Sequence, residues 1–268
     1  PTLSIYQTDV AGFARHYGLT VAHNSLKKWV AKIHSSSNRT LAPSTWSCKD
    51  LEQSGVKNVH LWQRGVDAVK FSPEKRDIDL RCELLGSRPD RKIIGYVGRL
   101  ANEKRIDDLK VLDIRDDIQL VIVGDGPARA RLEKHLPNAR FVGYQSGENL
   151  ARYYASLDIF VHTGAHETFC QSIQEALASG VPVIAPNSGG PLDLVKHGWT
   201  GYLINTADSV ALNQNVNNLL NKHEPAILRE RTRSSVIDNS WDLVNGQLMN
   251  HYRELIQLSD LRMKENVA

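Results

Sequence analysis

Two glutamates and two cations in the sequence are spaced so that they could bind an elongated anionic ligand. Glu167 and Glu175 stand eight positions apart in HETFCQSIQEALASG, residues 166–180. On one helix this spacing would separate them by about 12 Å along the axis and about 80° around it, on a shared face. Arg99 and Lys104 lie five positions apart, directly after a strand-like run. A guanidinium forms a planar fork for phosphate oxygens, and a lysine supplies a compact positive charge.

Each of these residues taken alone also fits an ordinary structural role. The two cations could be solvated surface charges, Glu167 a partner of a helix dipole, and Glu175 a solvated helix residue. Together, however, they flank a predicted helix N-terminus, whose outward N–H groups favour anions. Carboxylates accept hydrogen bonds from hydroxyls, which sugars carry in number. The cations and the helix start therefore favour an anion site for phosphate groups, while the two glutamates fit the hydroxyls of an elongated ligand as well as they fit the structural roles.

The elements that must position these residues alternate regularly from residue 92 onward. Apolar runs such as KIIGYV and QLVIV alternate with amphipathic helical stretches, among them one near Glu103–Leu112. This alternation predicts a parallel sheet covered on both faces, in a doubly wound, Rossmann-like domain. Ligands of such sheets bind beyond the carboxyl ends of the strands. Arg99, Lys104, the turn Gly124–Pro127 and the helix after residue 165 all fall at such ends.

The whole chain is predicted to be α/β, with a complete Rossmann-like domain preceded by a partial one. Residues 1–73 hold three strand candidates, fewer than a doubly wound sheet carries, and the chain enters the first at once with PTLSIYQTD. We therefore expect the first half of that domain to lie outside this chain. The polar, Pro-bounded segment 74–91 is interpreted as a linker, 92–238 as the complete domain, and 239–268 as a helix that packs back towards the first domain.

Composition limits the class of protein and of partner. Thirty-three Lys and Arg against thirty Asp and Glu leave a net charge of +3, which argues against a nucleic acid partner. No apolar run approaches the roughly 20 residues that span a bilayer, and no secretory signal is visible. The cysteines are odd in number and lack CxxC spacing, which favours a reduced cytoplasmic setting and no structural zinc: Cys48, Cys82 and Cys170.

One predicted helix, NSLKKWVAKIHSSSNR, combines basic residues with a tryptophan. A face of this kind is commonly just solvated, but it can also lie on an anionic membrane surface. The residues that make up this face are Lys27, Lys28, Trp29, Lys32 and Arg39. Both interpretations stay open at this point.

Five short motifs in a fixed order carry a resemblance to a known family. They are GVDAVKFSP, VGRLANEK, VGDGP, the pattern E-x7-E of residues 167–175, and ALASGVPVIAPNSGGPLDLV. In this order the chain resembles the retaining GT-B glycosyltransferases of family 4 over nearly all its length. The variants IYQTD, LWQRGVD and ETFCQSIQEA resemble its GDP-mannose-dependent α-mannosyltransferase branch.

The resemblance implies a transferase that moves a hexose from a nucleoside diphosphate sugar to an acceptor hydroxyl with retained configuration. It implies GDP-mannose as donor, or another nucleoside diphosphate sugar, and a lipid or carbohydrate acceptor, with a role in glycolipid biosynthesis. No cofactor and no metal are implied. The expected setting is the cytoplasm, with peripheral contact at the inner face of the membrane.

Residue by residue, the resemblance assigns Arg99 and Lys104 to the diphosphate and Glu167 to the transferred hexose, as the catalytic set. Glu175 is assigned to the ribose hydroxyls, and the segment Phe141–Tyr144 to the base. The remaining donor-binding positions are Gly98, Gly124, Gly126, Val142, Thr168, Phe169, Cys170 and Gln171.

The chain departs from the family pattern at two places. Cys170 stands where the family has glycine, which adds a side chain where backbone meets phosphate. The chain has QTD where other branches carry histidine, so Asp9 either faces the donor sugar or caps a helix. His162, inside a strand end, is interpreted as a core histidine and His23 as a neighbour of a helix cap.

Three other functions compete with a mannosyltransferase. A nucleotide-sugar-binding module without full catalysis would follow if much of the acceptor wall is missing. A UDP-sugar-dependent transferase would use the same ribose and diphosphate contacts. A nucleotide-sugar 2-epimerase shares the GT-B layout but lacks the combination of E-x7-E with GRLxxEK.

Overall fold

The structure, a computed structural model, describes residues 1–12, 20–221 and 224–265. By its internal contacts the chain divides into two units. The first unit comprises Pro1–Gly65, His166–Phe169 and the residues from Asn239 onward, of which 266–268 lie outside the described part. The second unit comprises Val66–Ala165 and Cys170–Asp238.

Nine strands and eleven helices are described, together with three short 3-10 turns. The strands are β1 (Leu3–Ile5), β2 (Arg39–Ala42), β3 (Val59–Leu61), β4 (Lys92–Val97), β5 (Ile118–Val123), β6 (Arg140–Gly143), β7 (Ile159–Val161), β8 (Val183–Pro186) and β9 (Gly201–Ile204). The helices are α1 (Thr20–Ser35), α2 (Thr45–Gln53), α3 (Ile78–Leu85), α4 (Lys110–Asp113), α5 (Arg129–His135), α6 (Gly147–Ser156), α7 (Gln171–Ala178), α8 (Pro191–Leu194), α9 (Ser209–Leu220), α10 (Pro225–Ser234) and α11 (Trp241–Glu265). None of these helices combines the length and apolar character needed to cross a bilayer.

The first unit contains a three-stranded parallel sheet in the order β1-β2-β3. Helices α1 and α2 connect its strands, and Ser44 caps α2 by accepting from the Ser47 amide at 3.1 Å. Helix α11 belongs to the same unit. The Arg39 guanidinium of β2 forms an ion pair with Glu254 of α11 at 2.7 Å, and the Trp62 indole donates to the Val244 carbonyl at 2.9 Å.

The second unit is built on a six-stranded parallel sheet in the order β6-β5-β4-β7-β8-β9. Its central strands are buried along nearly their whole length, because helices cover both faces as the continuous apolar runs predicted. The order reverses between β4 and β7, where the chain crosses from one half of the sheet to the other. The predicted Rossmann-like, doubly wound α/β fold is confirmed in this unit.

Two sequence predictions differ from the structure in this unit. Residues 74–91, predicted to be a linker, instead hold α3, which Asp77 caps by accepting from the Leu80 amide at 2.8 Å. Leu80, Leu84 and Leu85 of this helix are buried, a pattern that the surrounding charges concealed. The helix expected near Glu103–Leu112 is broken into two 3-10 turns followed by the one-turn α4, with Arg105 left-handed between the turns at φ 52°.

A partly buried carboxylate fixes α3 to the sheet. Asp158, just before β7, forms ion pairs with Arg76 at 3.0 Å and Arg81 at 3.1 Å and accepts from the Ile93 amide at 2.8 Å. Burial raises the pKa of this carboxyl, but Arg81, the amide of Ile93 and Arg76 together hold it below its usual value. Arg229 lies close enough to this cluster that burial and Arg76 lower its pKa to about 10. The carboxylate is thus the common acceptor for groups from three elements.

Replacing Asp158 by Asn should lower the free energy of unfolding by about 2–4 kcal/mol at neutral pH, because it leaves two partly buried guanidinium groups without their anion. The loss should shrink as pH falls below the ordinary aspartate range, where the wild-type carboxylate is itself protonated. Urea unfolding across pH measures both. Asp90→Asn, which removes an exposed partner of Arg88 at 3.3 Å, is the control and should cost well under about 1 kcal/mol. Equal costs for the two substitutions would contradict this prediction.

Candidate functional site

The turn after β5 lies against the segment after β4 at the carboxyl edge of the second unit's sheet. The Leu100 amide donates to the Asp125 carbonyl at 3.0 Å, and the Ala128 amide donates to the Leu100 carbonyl at 2.9 Å. Gly124 has a φ of 133°, and a Cβ there would lie 2.0 Å from the Gly98 carbonyl oxygen. The glycine therefore allows a backbone approach that any side chain would prevent. Arg99 is exposed on the segment that this contact holds.

Lys104 lies on the same edge, at the end of the 3-10 turn Asn102–Lys104. The Thr163 hydroxyl, just past β7, donates to the Lys104 carbonyl at 2.6 Å. The loops that follow β4, β5 and β7 are thus joined to one another by backbone and side-chain hydrogen bonds. Three of the predicted sites therefore occupy neighbouring loops at one edge of the sheet: Arg99, Lys104 and the turn Gly124–Pro127.

Helix α7 begins at Gln171, and Glu167 is not part of it. The residues His166–Phe169 form an irregular segment that belongs to the first unit. The Thr168 hydroxyl donates to the Gln7 carbonyl at 2.7 Å, and the Ser47 hydroxyl donates to the Thr168 carbonyl at 3.4 Å. The prediction that Glu167 and Glu175 share a helix face is therefore wrong, because the chain leaves helical geometry before Gln171.

Cys170 precedes α7 in a strained backbone conformation. Its φ of 81° lies in the left-handed region, which glycine adopts freely and other residues avoid. Its thiol is buried and lies 3.3 Å from the Ser172 hydroxyl. The family pattern has glycine here, so the backbone keeps a glycine-like geometry although the residue has changed. The strain is a cost of order 1–3 kcal/mol that the surrounding packing offsets.

Glu175 stands one turn into α7 with its carboxyl in a low-dielectric environment. Burial raises the pKa of this carboxyl to about 7, although Tyr154 and the positive charge of Lys70 act in the opposite direction. Tyr154, on α6, is fully buried between aromatic neighbours, with the Phe71 ring 5.6 Å and the Phe160 ring 5.8 Å away. A carboxyl with this affinity for a proton can change its charge when a ligand binds.

The predicted base-binding segment, Phe141–Tyr144, covers the last three residues of β6 and the residue after it. Val142 is partly buried, and its carbonyl accepts from the Gln145 side-chain amide at 2.9 Å. Tyr144 is exposed, with 75% of its surface accessible. The assignment of this segment to the base stays a prediction, as do the assignments of Gly98, Gly126, Phe169 and Gln171.

Three further residues can now be placed. His162 is buried and stacks on Tyr96 with ring centroids 6.0 Å apart, which agrees with a core histidine. Asp9 accepts from the Gly12 amide at 2.8 Å, which is the contact of a helix cap. The His23 Nδ1 lies 2.8 Å from the Ala11 carbonyl.

Sequence reasoning missed two groups that act on Glu175. Tyr154 lies in ARYYASL. The helical period of this stretch can predict that its side chain faces the core, but it cannot predict which residue of another helix lies beside it. Lys70 lies within GVDAVKFSP, a motif that carries the family resemblance but does not predict a partner for this lysine. Both affect the Glu175 carboxyl from distant parts of the chain, Tyr154 through its hydroxyl and Lys70 through its charge. The sequence therefore carries no local signal for either.

Replacing Glu175 by Gln should flatten the pH dependence of folding stability. Between about pH 4.5 and about pH 7 the folded wild type holds a proton that the unfolded chain has lost, so wild-type stability falls as pH rises through this window. At about pH 8 the Gln variant should be more stable than the wild type by about 2–4 kcal/mol, and the advantage should vanish near pH 4.5. Urea unfolding in a pH series measures this. The exposed Glu148→Gln is the matched control, and an unchanged slope in Glu175→Gln would contradict the raised pKa.

At Cys170 glycine should be better tolerated than alanine, which reverses the usual order. Cys170→Ala loses the packed sulfur and keeps the strained φ, whereas Cys170→Gly loses the sulfur and removes the strain. The Gly variant should therefore be more stable than the Ala variant by about 1 kcal/mol. Chemical denaturation of both variants decides the order. An alanine variant equal to or better than glycine would show that the left-handed geometry is not imposed.

Comparison with known proteins gives the family. The model of the family described as "Glycosyl transferases group 1" matches residues 83–236, more than half of the chain. A GDP-mannose-dependent alpha-mannosyltransferase of Mycolicibacterium smegmatis is 46% identical over 263 residues, covering 98% of this chain and 69% of that protein. A Mycobacterium tuberculosis protein of the same name is 45% identical over 254 residues, covering 94% of this chain and 66% of that protein. The chain thus spans about two thirds of these relatives.

Solved structures show the same fold at low identity. The Anabaena protein HepE in complex with UDP aligns with a TM-score of 0.81 and 19% identity, over 95% of this chain and 72% of that one. Sucrose-phosphate synthase from Thermosynechococcus elongatus aligns with a TM-score of 0.81 and 23% identity, over 96% of this chain and 68% of that one. Because the family model covers most of the second unit and the relatives align along nearly the whole sequence, the chain belongs to the group 1 glycosyl transferases.

Proposed function

We propose that this chain binds GDP-mannose and carries out the transfer of mannose to an acceptor hydroxyl with retention of configuration. The observation that carries the proposal is the carboxyl edge of the second unit's sheet. There Arg99 and Lys104 stand on loops joined by hydrogen bonds to the glycine turn after β5, and Glu175 lies one turn into α7. Both cations and Glu175 belong to the same unit, so their loops share one rigid support.

The chemistry needs these residue types because the leaving group is a diphosphate. When the bond between the sugar and the β-phosphate breaks, negative charge develops on the phosphate oxygens. Arg99 would hold two of these oxygens through its fork, and Lys104 would place a compact charge beside them. Fixed donors of this kind stabilise the charge in the transition state, and losing one typically slows a reaction about 10²–10³-fold.

The other donor-binding roles follow from the family resemblance. Glu175 would accept hydrogen bonds from the two ribose hydroxyls, and Glu167 would face the transferred hexose. Thr168, Phe169, Cys170 and Gln171 precede or open α7 and would present backbone amides to the β-phosphate and sugar. The residues around Val142 would hold the base.

GDP-mannose is proposed as the donor because three relatives that are 44–46% identical along nearly the whole chain are named for it. Ribose and diphosphate contacts are common to all nucleoside diphosphate sugars, so they do not select the base. A second relative group, the mycobacterial phosphatidylinositol dimannoside mannosyltransferases, is 32% identical over 155 residues and is named for a lipid acceptor. This supports a glycolipid acceptor for the present chain.

A lipid acceptor would suit an enzyme that lies against a membrane, and α1 offers a face for such contact. Trp29 is 58% exposed and Ile33 43% exposed, one turn apart on this helix. Lys28 and Lys32 are exposed beside them, whereas Lys27 is held by Asp50 at 2.6 Å. We include peripheral contact with an anionic bilayer at the cytoplasmic face in the proposal. An exposed tryptophan and isoleucine flanked by lysines can bind such a surface through both apolar burial and charge.

Calorimetric titration with GDP and with UDP tests the nucleotide assignment. GDP should bind to the chain at least about tenfold more tightly than UDP, a difference of about 1.4 kcal/mol. Arg99→Ala should weaken GDP binding by about 10–100-fold, because a charge-assisted bidentate contact to the diphosphate is lost. Arg88→Ala is the matched control, since that exposed arginine pairs with Asp90 and should leave the affinity unchanged. Tighter binding of UDP would contradict the GDP assignment, and equal affinity of wild type and Arg99→Ala would contradict the diphosphate role.

A further inference from the structure

A fully buried tyrosine hydroxyl lies beside the carboxyl to which the ribose is assigned. The Tyr154 side chain has no exposed surface, and its ring is held edge-on by Phe71 and at a tilt by Phe160. Among the described residues no group meets full hydrogen-bond geometry with its hydroxyl. A buried hydroxyl that no firm hydrogen bond satisfies is uncommon in folded proteins, so its surroundings call for an explanation.

The group that this hydroxyl faces is the Glu175 carboxyl on the next helix. The two side chains are close enough to change each other's protonation: Tyr154 acts to lower the pKa of Glu175, and, after burial, Glu175 is the largest cause that raises the pKa of Tyr154. Other titratable groups around the pair are Lys70 from the segment before α3, Tyr96 of β4 and Cys170 before α7. Of these, only Lys70 adds a positive charge at neutral pH.

We propose that Tyr154 is a positioning residue for donor binding, whose hydroxyl donates to one oxygen of the Glu175 carboxylate and leaves the other oxygen to the ribose diol. The inference rests on the proposed function, because it takes Glu175 to be the ribose contact. In the empty site the carboxyl is partly protonated and the contact with Tyr154 is loose. In the occupied site the carboxylate is charged and Tyr154 donates fully.

The proton balance of this step is simple. The ribose hydroxyls donate hydrogen bonds but keep their protons, and Tyr154 keeps its proton as well. The proton that the empty carboxyl carries therefore leaves to the solvent when the nucleotide binds. Removing the Tyr154 hydroxyl makes the charged carboxylate less favourable, so more protons must leave and binding must weaken wherever the carboxyl is protonated at the start.

The first experiment needs no ligand. In the chain labelled with ¹³C at glutamate side chains, the titration midpoint of Glu175, assigned by its loss in Glu175→Gln, should move upward in Tyr154→Phe. Tyr153→Phe is the matched control, because that neighbouring tyrosine lies near Glu83 and not near Glu175. A midpoint that is the same in the wild type and in Tyr154→Phe would overturn the proposal.

The second experiment counts protons during binding. GDP is titrated calorimetrically at about pH 7 in two buffers of different ionisation heat, and the wild type should release about half a proton per nucleotide. Tyr154→Phe should release more, bind GDP about three- to tenfold more weakly at about pH 6.5, and approach the wild type near pH 9. Glu175→Gln, which keeps Tyr154, should release none, and it secures the test if Tyr154→Phe folds poorly.

The outcomes separate this inference from the function on which it rests. If GDP binds and the proton count is the same in the wild type and in Tyr154→Phe, or persists in Glu175→Gln, the positioning role is overturned while nucleotide binding stands. If the Glu175 midpoint shifts as expected but the wild type binds no GDP, the nucleotide assignment is overturned, and the role of Tyr154 in donor binding falls with it.

Discussion

The close backbone approach at the carboxyl edge of the six-stranded sheet is the constraint on which the candidate site depends. Gly124 allows the turn after β5 to contact the Gly98 carbonyl, and reciprocal hydrogen bonds through Leu100 complete the contact. Because this contact fixes the segment after β4, the backbone of the exposed Arg99 has a defined position at the edge of the sheet. Any side chain at Gly124 would separate the two loops and displace the cation from the edge.

The charged side chains at this edge and those beneath it differ in how far water solvates them. Arg99 is exposed, so water and salt screen its charge. Glu175 is held in a poorly solvated place, where burial raises its pKa to about 7 although Tyr154 and Lys70 favour its charge. Asp158, which is likewise only partly exposed, is kept charged by arginines and the Ile93 amide. The same functional group, a carboxyl, is thus a fixed structural anion at Asp158 and a group that can lose or gain a proton at Glu175.

Strain and sequence departure coincide at the start of α7. Cys170 keeps a left-handed backbone where the family pattern has glycine, and its thiol packs inside the unit. A conformation that costs energy at this point persists because the helix that follows it is fixed in the core by its buried residues. The helix N-terminus therefore keeps its orientation, which is what presentation of amides to an anion requires.

The sequence by itself determined the strands of the second unit and the loops that follow them. Unbroken apolar runs such as QLVIV can be satisfied only as buried parallel strands, and the position of Arg99 after one of them places it at the sheet edge. The local pattern was misleading wherever the environment decided. It did not reveal α3, whose three buried leucines are scattered among charges, nor the irregular path of Glu167 before α7. The protonation of Glu175 also depended on tertiary structure alone, because Tyr154 and Lys70 reach it from distant parts of the chain, and only packing brings such groups into one low-dielectric place.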